Sequence, residues 1–149
     1  MGFDKTSLKG RALRLLAGRE HSRAELEKKL ASHEQEPGEL QRALDELQAK
    51  GFISEQRVVE SLIHRRSARL GAGRVKQELQ AKGISAEAVT EAVDRLRRTE
   101  TERAREVWRK KFGETAADPA GRARQMRFLA SRGFSAEAIR RVVRGADDD

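Results

Sequence analysis

"KGISAEAV" (Lys82–Val89) and "RGFSAEAI" (Arg132–Ile139) stand 50 residues apart. They share Gly, Ser, Ala, Glu and Ala in register, and the other positions exchange Lys for Arg, Ile for Phe and Val for Ile. Each reads as the end of one helix and the start of the next. A basic residue sits in a last turn, Gly can take the left-handed conformation that closes a helix, Ser caps the following helix, and Glu in the first turn meets its dipole. The same punctuation at a fixed spacing is the mark of a repeat architecture, provided the apolar positions around it keep the same offset.

They do. An offset of 49 pairs Leu26 with Val75, Leu30 with Leu79, Leu40 with Val89, Ala43 with Ala92, Leu44 with Val93 and Leu47 with Leu96; an offset of 50 pairs Leu79 with Leu129, Val89 with Ile139 and Val93 with Val143. A competing echo, "LQAKG" at Leu47–Gly51 and Leu79–Gly83, has an offset of 32 that almost nothing apolar continues beyond Gly51. It marks two different helix ends with the same closing chemistry. The longer register therefore divides the chain into three units, placed at 7–51, 52–98 and 99–145, with an N-terminal tail at 1–6 and an acidic tail, ending "DDD", at 146–149.

Each unit reads as three helices. The first holds "LKGRALRLLAGRE", "SRAELEKKLAS" and "PGELQRALDELQAK"; Ser22 and Glu25 match a capping box, and Pro37 suits a first helical position. In the second, Ser54 caps "EQRVVESLIHRRSARL", Gly71 and Gly73 break it, "RVKQELQAK" follows, and Ser85 caps "AEAVTEAVDRL". The third opens with "TERAREVWRKKF", starts its next helix at Asp118-Pro119 and caps its last with Ser135. Strand alternation is absent. The expected fold is all-α: a tandem array of three three-helix repeats, about nine helices, elongated and curved around a continuous inner core. Phe52, Phe128 and Phe134 are expected to pack at unit boundaries, and Trp108, at helical spacing with Ala104, Val107 and Phe112, belongs to the core.

Composition sets the chemistry. Hydrophobic residues make up 37% and charged residues 38%, so each helix offers a narrow apolar stripe and a charged face. There is no cysteine, hence no disulfide or thiolate metal site, and His21, His33 and His64 have no ligand spacing. The opening "MGFDKTSLKG" has no apolar leader, and no run approaches the ~18 apolar residues of a membrane span. "GAG" at Gly71–Gly73 lacks the Lys-Ser/Thr and preceding strand of a phosphate loop. No catalytic constellation emerges and no cofactor is implied; a soluble, cytoplasmic, non-enzymatic protein is expected.

The net charge of +8 favours a polyanionic partner. It is uneven: +1 for residues 1–50, +3 for 51–100 and +4 for 101–149. Residues 61–77 and 119–136 contain no Asp or Glu, and carry Arg65, Arg66, Arg69, Arg74 and Lys76 in one and Arg122, Arg124, Arg127 and Arg132 in the other. The apolar stripe of Val59 and Leu62 is continued by Arg66 and Arg69, and Arg74 and Arg124 are equivalent at the 50-residue offset. These nine residues are the candidate binding set. Each can equally be a solvated helix face, with its stem lying along the edge of the core.

The stretches "ALRLLAGREHSRAELEKKL", "GAGRVKQELQAKGIS" and "RFLASRGFSAEAI", in that order across about residues 8–145, resemble the RecX family, regulators of the RecA recombinase. The resemblance implies a modular helical array that lodges in the groove of a RecA–single-stranded-DNA filament, touches more than one protomer as a monomer, and holds down recombinase, ATPase and co-protease activity. A rival is a sequence-tolerant DNA-binding protein whose third helices enter a groove. In that case "AEAVTEAVDRL", with Glu87, Glu91 and Asp94, makes a poor phosphate face, whereas "AEAIRRVVRG" makes a better one. A repeat scaffold for some other acidic protein fits the composition equally well.

Overall fold

The structure, a computed structural model, describes residues 7–144. The tails assigned to 1–6 and 146–149, and Gly145, lie outside the described residues. Within 7–144 there is no strand. The helices are α1 (Leu8–Gly18), α2 (Arg23–Leu30), α3 (Glu39–Ala49), α4 (Glu55–Arg66), α5 (Ala72–Ala81), α6 (Ala86–Arg97), α7 (Glu100–Lys111), α8 (Pro119–Ser131) and α9 (Ala136–Arg144), with one 3-10 turn at Ala31–His33.

Side-chain oxygens start the helices where the sequence puts Ser. Ser22 Oγ accepts from the Glu25 amide (3.1 Å) while Glu25 Oε1 accepts from the Ser22 amide (2.9 Å), completing the capping box. Ser54, Ser85 and Ser135 accept from Arg57, Ala88 and Ala138 in the same way. The closing signal is equally regular. After α3, α5 and α8 a glycine at φ 84°, 74° or 89° turns the chain, and the next residue bonds back over five: Phe52 to Leu47, Ile84 to Leu79, Phe134 to Leu129. This is the Schellman closure, and it explains why "LQAKG" ends both α3 and α5.

Several expectations need correction. The helix beginning at Ser54 stops at Arg66, not Leu70, because the Gly71 amide that would continue the ladder goes to the Arg132 carbonyl and Arg103 takes the Ser67 carbonyl it leaves. Gly73 lies inside α5; only Gly71 precedes it. Pro37 opens a turn, with Gly38 at φ 87° beside it and Glu39 bonding back to Glu36, so α3 starts two residues later. Phe52 is exposed, whereas Phe134 is buried and Phe128 half-buried against the edge of Phe112. Trp108 packs half-buried on the third cluster and donates to Gln125.

The paired apolar positions occupy equivalent places: Leu30, Leu79 and Leu129 are buried, as are Leu40, Val89 and Ile139, and Leu44, Val93 and Val143. They do not form one core. Three separate clusters replace the expected continuous core, one for each unit except that Ile53 at the start of the second unit packs with the first. The physical reason is that the units meet at helix ends, where unsatisfied backbone groups need polar partners and exclude an apolar filling.

Those polar joints repeat. The end of α8 meets the start of α5: the Gly71 amide donates to the Arg132 carbonyl (2.7 Å), the Gly73 amide to the Gly133 carbonyl (3.1 Å), and Arg74 Nη1 to the Ser131 carbonyl (2.9 Å). A Cβ on Gly71 would lie 2.4 Å from the Gly133 carbonyl, so only glycine allows the approach. In the same sense the end of α5 meets the start of α2: Ser22 Oγ donates to the Lys82 carbonyl (2.5 Å), Lys82 Nζ reaches Glu25 (3.3 Å), and a Cβ on Gly83 would strike Ala24. Each copy of the octapeptide thus closes one helix, starts another and docks its unit onto the preceding one.

Candidate functional site

The nine candidate cations divide by what they touch. Arg65, Arg69, Lys76, Arg124 and Arg127 are exposed and make no ion pair with the described residues. Arg69 lies beyond the end of α4, so it leaves the helical stripe that Val59, Leu62 and Arg66 share. Arg66 is half-buried against Glu78, Nε to Oε2 3.5 Å. Arg74 holds the joint to the third unit, and Arg122 braces the loop before α8 through the Ala116 and Ala117 carbonyls (3.2 and 2.9 Å). The Arg132 guanidinium lies 4.9 Å over the Phe128 ring. The equivalence of Arg74 and Arg124 is therefore one of position, not of contact.

Arg65 and Arg66 come to a concave surface. They line a cleft of about 690 Å3 between the first and second units, together with Lys28, Lys29 and Lys82. Near it, burial pushes the Glu25 carboxyl up. The Arg19 hydrogen bond, the Ser22 amide and the Lys82 charge outweigh that and hold it down at about 2. His21 is buried, with Nδ1 3.1 Å from the Arg19 carbonyl and Nε2 3.1 Å from Lys29 Nζ. That pairing requires a neutral ring with the proton on Nδ1, and burial lowers its pKa below the usual value.

Three structural residues escape a reading of the sequence. Glu100, buried at the start of α7, accepts from the Ala72 amide (2.6 Å) and the Ser135 amide (3.1 Å), and so binds the starts of α5 and α9 together. Arg103 donates to the carbonyls of Ser67, Leu70 and Leu96, closing the ends of α4 and α6; burial lowers its pKa against the raising effect of Glu100. Arg57 does the same one unit earlier, donating to the Gly51 carbonyl and pairing with Glu20. The available signal was a Glu at the first position of α4 and α7 with an Arg two or three residues on, but its spacing of 45 departs from the 50 of the octapeptides. Among the described residues no group of three His, Cys, Asp or Glu could hold a metal ion, and no helix is long and apolar enough to cross a membrane.

Family models for the three RecX three-helix domains match in chain order: the first over residues 9–47, the second over 54–93 and the third over 99–143. The chain belongs to the RecX family. It is 57% identical over 143 residues to the regulatory protein RecX of Leptothrix cholodnii, covering 96% of this chain and 91% of that one. It is 48% identical over 145 residues to that of Herminiimonas arsenicoxydans, covering 97% and 96%. The crystal structure of RecX from Lactobacillus salivarius has the same fold, with a TM-score of 0.78 at 19% identity over 95% of this chain and 96% of that one. In RecX terms the cleft falls between the first and second domains: Lys28 and Lys29 belong to the first, Arg65, Arg66 and Lys82 to the second.

Proposed function

We propose that this RecX-family chain is a cytoplasmic negative regulator of RecA. It binds as a monomer in the groove of the RecA–single-stranded-DNA filament, bridges protomers, and inhibits recombinase, ATPase and co-protease activity. The observation that carries the reading is the match of all three RecX domains, in order, in a chain 57% identical to a regulatory protein RecX. Units taken as 7–51, 52–98 and 99–145 present a repeated surface to a repeated partner. The exposed cations Arg65, Arg69, Lys76, Arg124 and Arg127 supply the first contacts to acidic protein or phosphate, with Arg66, Arg74, Arg122 and Arg132 behind them. The test is single-strand-dependent ATP hydrolysis by RecA with this protein titrated in at substoichiometric ratios. A progressive fall is expected, and undiminished hydrolysis at every ratio ends the reading.

Duplex binding without RecA is favoured by one feature, the exposed Arg140, Arg141 and Arg144 of α9. It is opposed by the exposed Glu87, Glu91 and Asp94 of α6. Retention of duplex DNA at physiological salt in the absence of RecA decides for it.

A further inference from the structure

The two joints of the array are built differently. Between the second and third units, main-chain bonds and the Glu100 carboxylate bridge the joint and leave only a recess of about 220 Å3. Between the first and second, the cleft of about 690 Å3 stays open, within the ~300–1,000 Å3 typical of ligand-holding clefts.

Its lining is selective. Lys28, Lys29, Arg65, Arg66 and Lys82 face two carboxylates, Glu25 and Glu78. Glu25 is already occupied by Arg19, Lys82 and the Ser22 amide, which also uses the Lys82 charge. Lys28 and Arg65 are exposed and unpaired among the described residues. Leu62, Ala24 and Ala81 give the cleft apolar surface, and no aromatic ring lines it. Arg66 Nε and Glu78 Oε2 are buried without a hydrogen-bond partner, although they face each other at 3.5 Å.

These properties choose among occupants. Free cations call for an anion. The missing rings remove the stacking that holds single strands. A polypeptide supplies carboxylates for the cations and small aliphatic side chains for the exposed Ala24 and Ala81. We propose that the cleft between the first and second units docks an acidic polypeptide segment of a partner protein. Its carboxylates lie on Lys28, Lys29 and Arg65. The inference goes beyond filament binding: it shares Arg65 and Arg66 with that reading but requires nothing of RecA.

The test uses the isotope-labelled full chain, followed by amide NMR while a short peptide of Glu, Asp and Leu is titrated in, and separately while oligodeoxythymidylate is. The peptide is expected to move amides around Ala24, Arg65 and Lys82 while those of α9 stay still. Lys28→Glu with Arg65→Glu should weaken peptide binding about tenfold or more, and Lys110→Glu, on exposed α7 surface, should leave it unchanged. Should the reversals melt early, Lys28→Ala with Arg65→Ala gives the same loss of binding without the reversal. Peptide shifts elsewhere, or none, overturn the proposal. So does oligodeoxythymidylate taking the cleft with the same dependence on Lys28 and Arg65, which would assign it to phosphate.

Discussion

The main-chain N–H of Gly71 donates to the carbonyl of Arg132 over 2.7 Å, so the amide end of one middle helix closes on the carbonyl end of the next. The opposed helix termini satisfy each other's free backbone groups, and their dipoles run in the same sense.

Gly71→Ala tests that contact. The added methyl would meet the Gly133 carbonyl at 2.4 Å, and such overpacking costs about 1–3 kcal/mol. Gly133→Ala adds a left-handed backbone at φ 89° to a clash with Arg74. Thermal melting should drop by several degrees for either variant, at ~2–4 °C per kcal/mol in a chain of this size. Gly18→Ala, where a Cβ meets nothing within 4 Å, should not lower it.

Glu100→Ala leaves the Ala72 and Ser135 amides without acceptors and Arg103 without its counter-charge. Removing one member of such a buried set costs about 3 kcal/mol or more. Denaturant unfolding should show the loss, and hydrogen exchange should quicken at Ala72 and Ser135. Unchanged exchange at those amides would contradict the arrangement.

Acid should act through Glu25 and His21. The Glu25 carboxyl is held at about 2 against an ordinary 4.5, so its contribution is in place above 4.5 and is lost as pH falls towards 2; Glu25→Gln flattens that limb of the stability curve. His21 is held below 6.5 by burial, so folding favours its neutral form, and stability declines as pH falls through and below 6.5. Ring NMR should place its titration below 6.5.

Charge reversal separates contact from architecture. Arg69→Glu and Arg127→Glu, both exposed, should weaken inhibition of RecA while melting stays near that of the parent. Arg74→Glu should lower melting, because its guanidinium holds Ser131 across the joint. If phosphates are contacted, inhibition by the parent should fall steeply with salt.

The helices and their order were legible because Ser caps, closing glycines and paired leucines are local signals with local causes. Helix ends governed from a distance were not. Arg66 ends α4 because the Gly71 amide turns to Arg132 and Arg103, more than thirty residues on, takes the freed carbonyls. The candidate cations were legible as charge, but their duties were not. Nothing near Arg74 or Arg122 in sequence says that one grips Ser131 and the other the Ala116 loop, and nothing in "EKKL" places Lys28 and Lys29 across a cleft from Arg65.

The docking octapeptide and the helix start that receives it work as plug and socket, and among the described residues only the second unit owns both. The third has the plug, but its own loop stops its socket: Asp118 and Ala116 stand within 2.7 Å of where a Cβ on Gly121 would be. The first has a socket at Ser22 and no plug, its middle helix running out into a 3-10 turn. A unit grafted after the third would therefore find its seat taken.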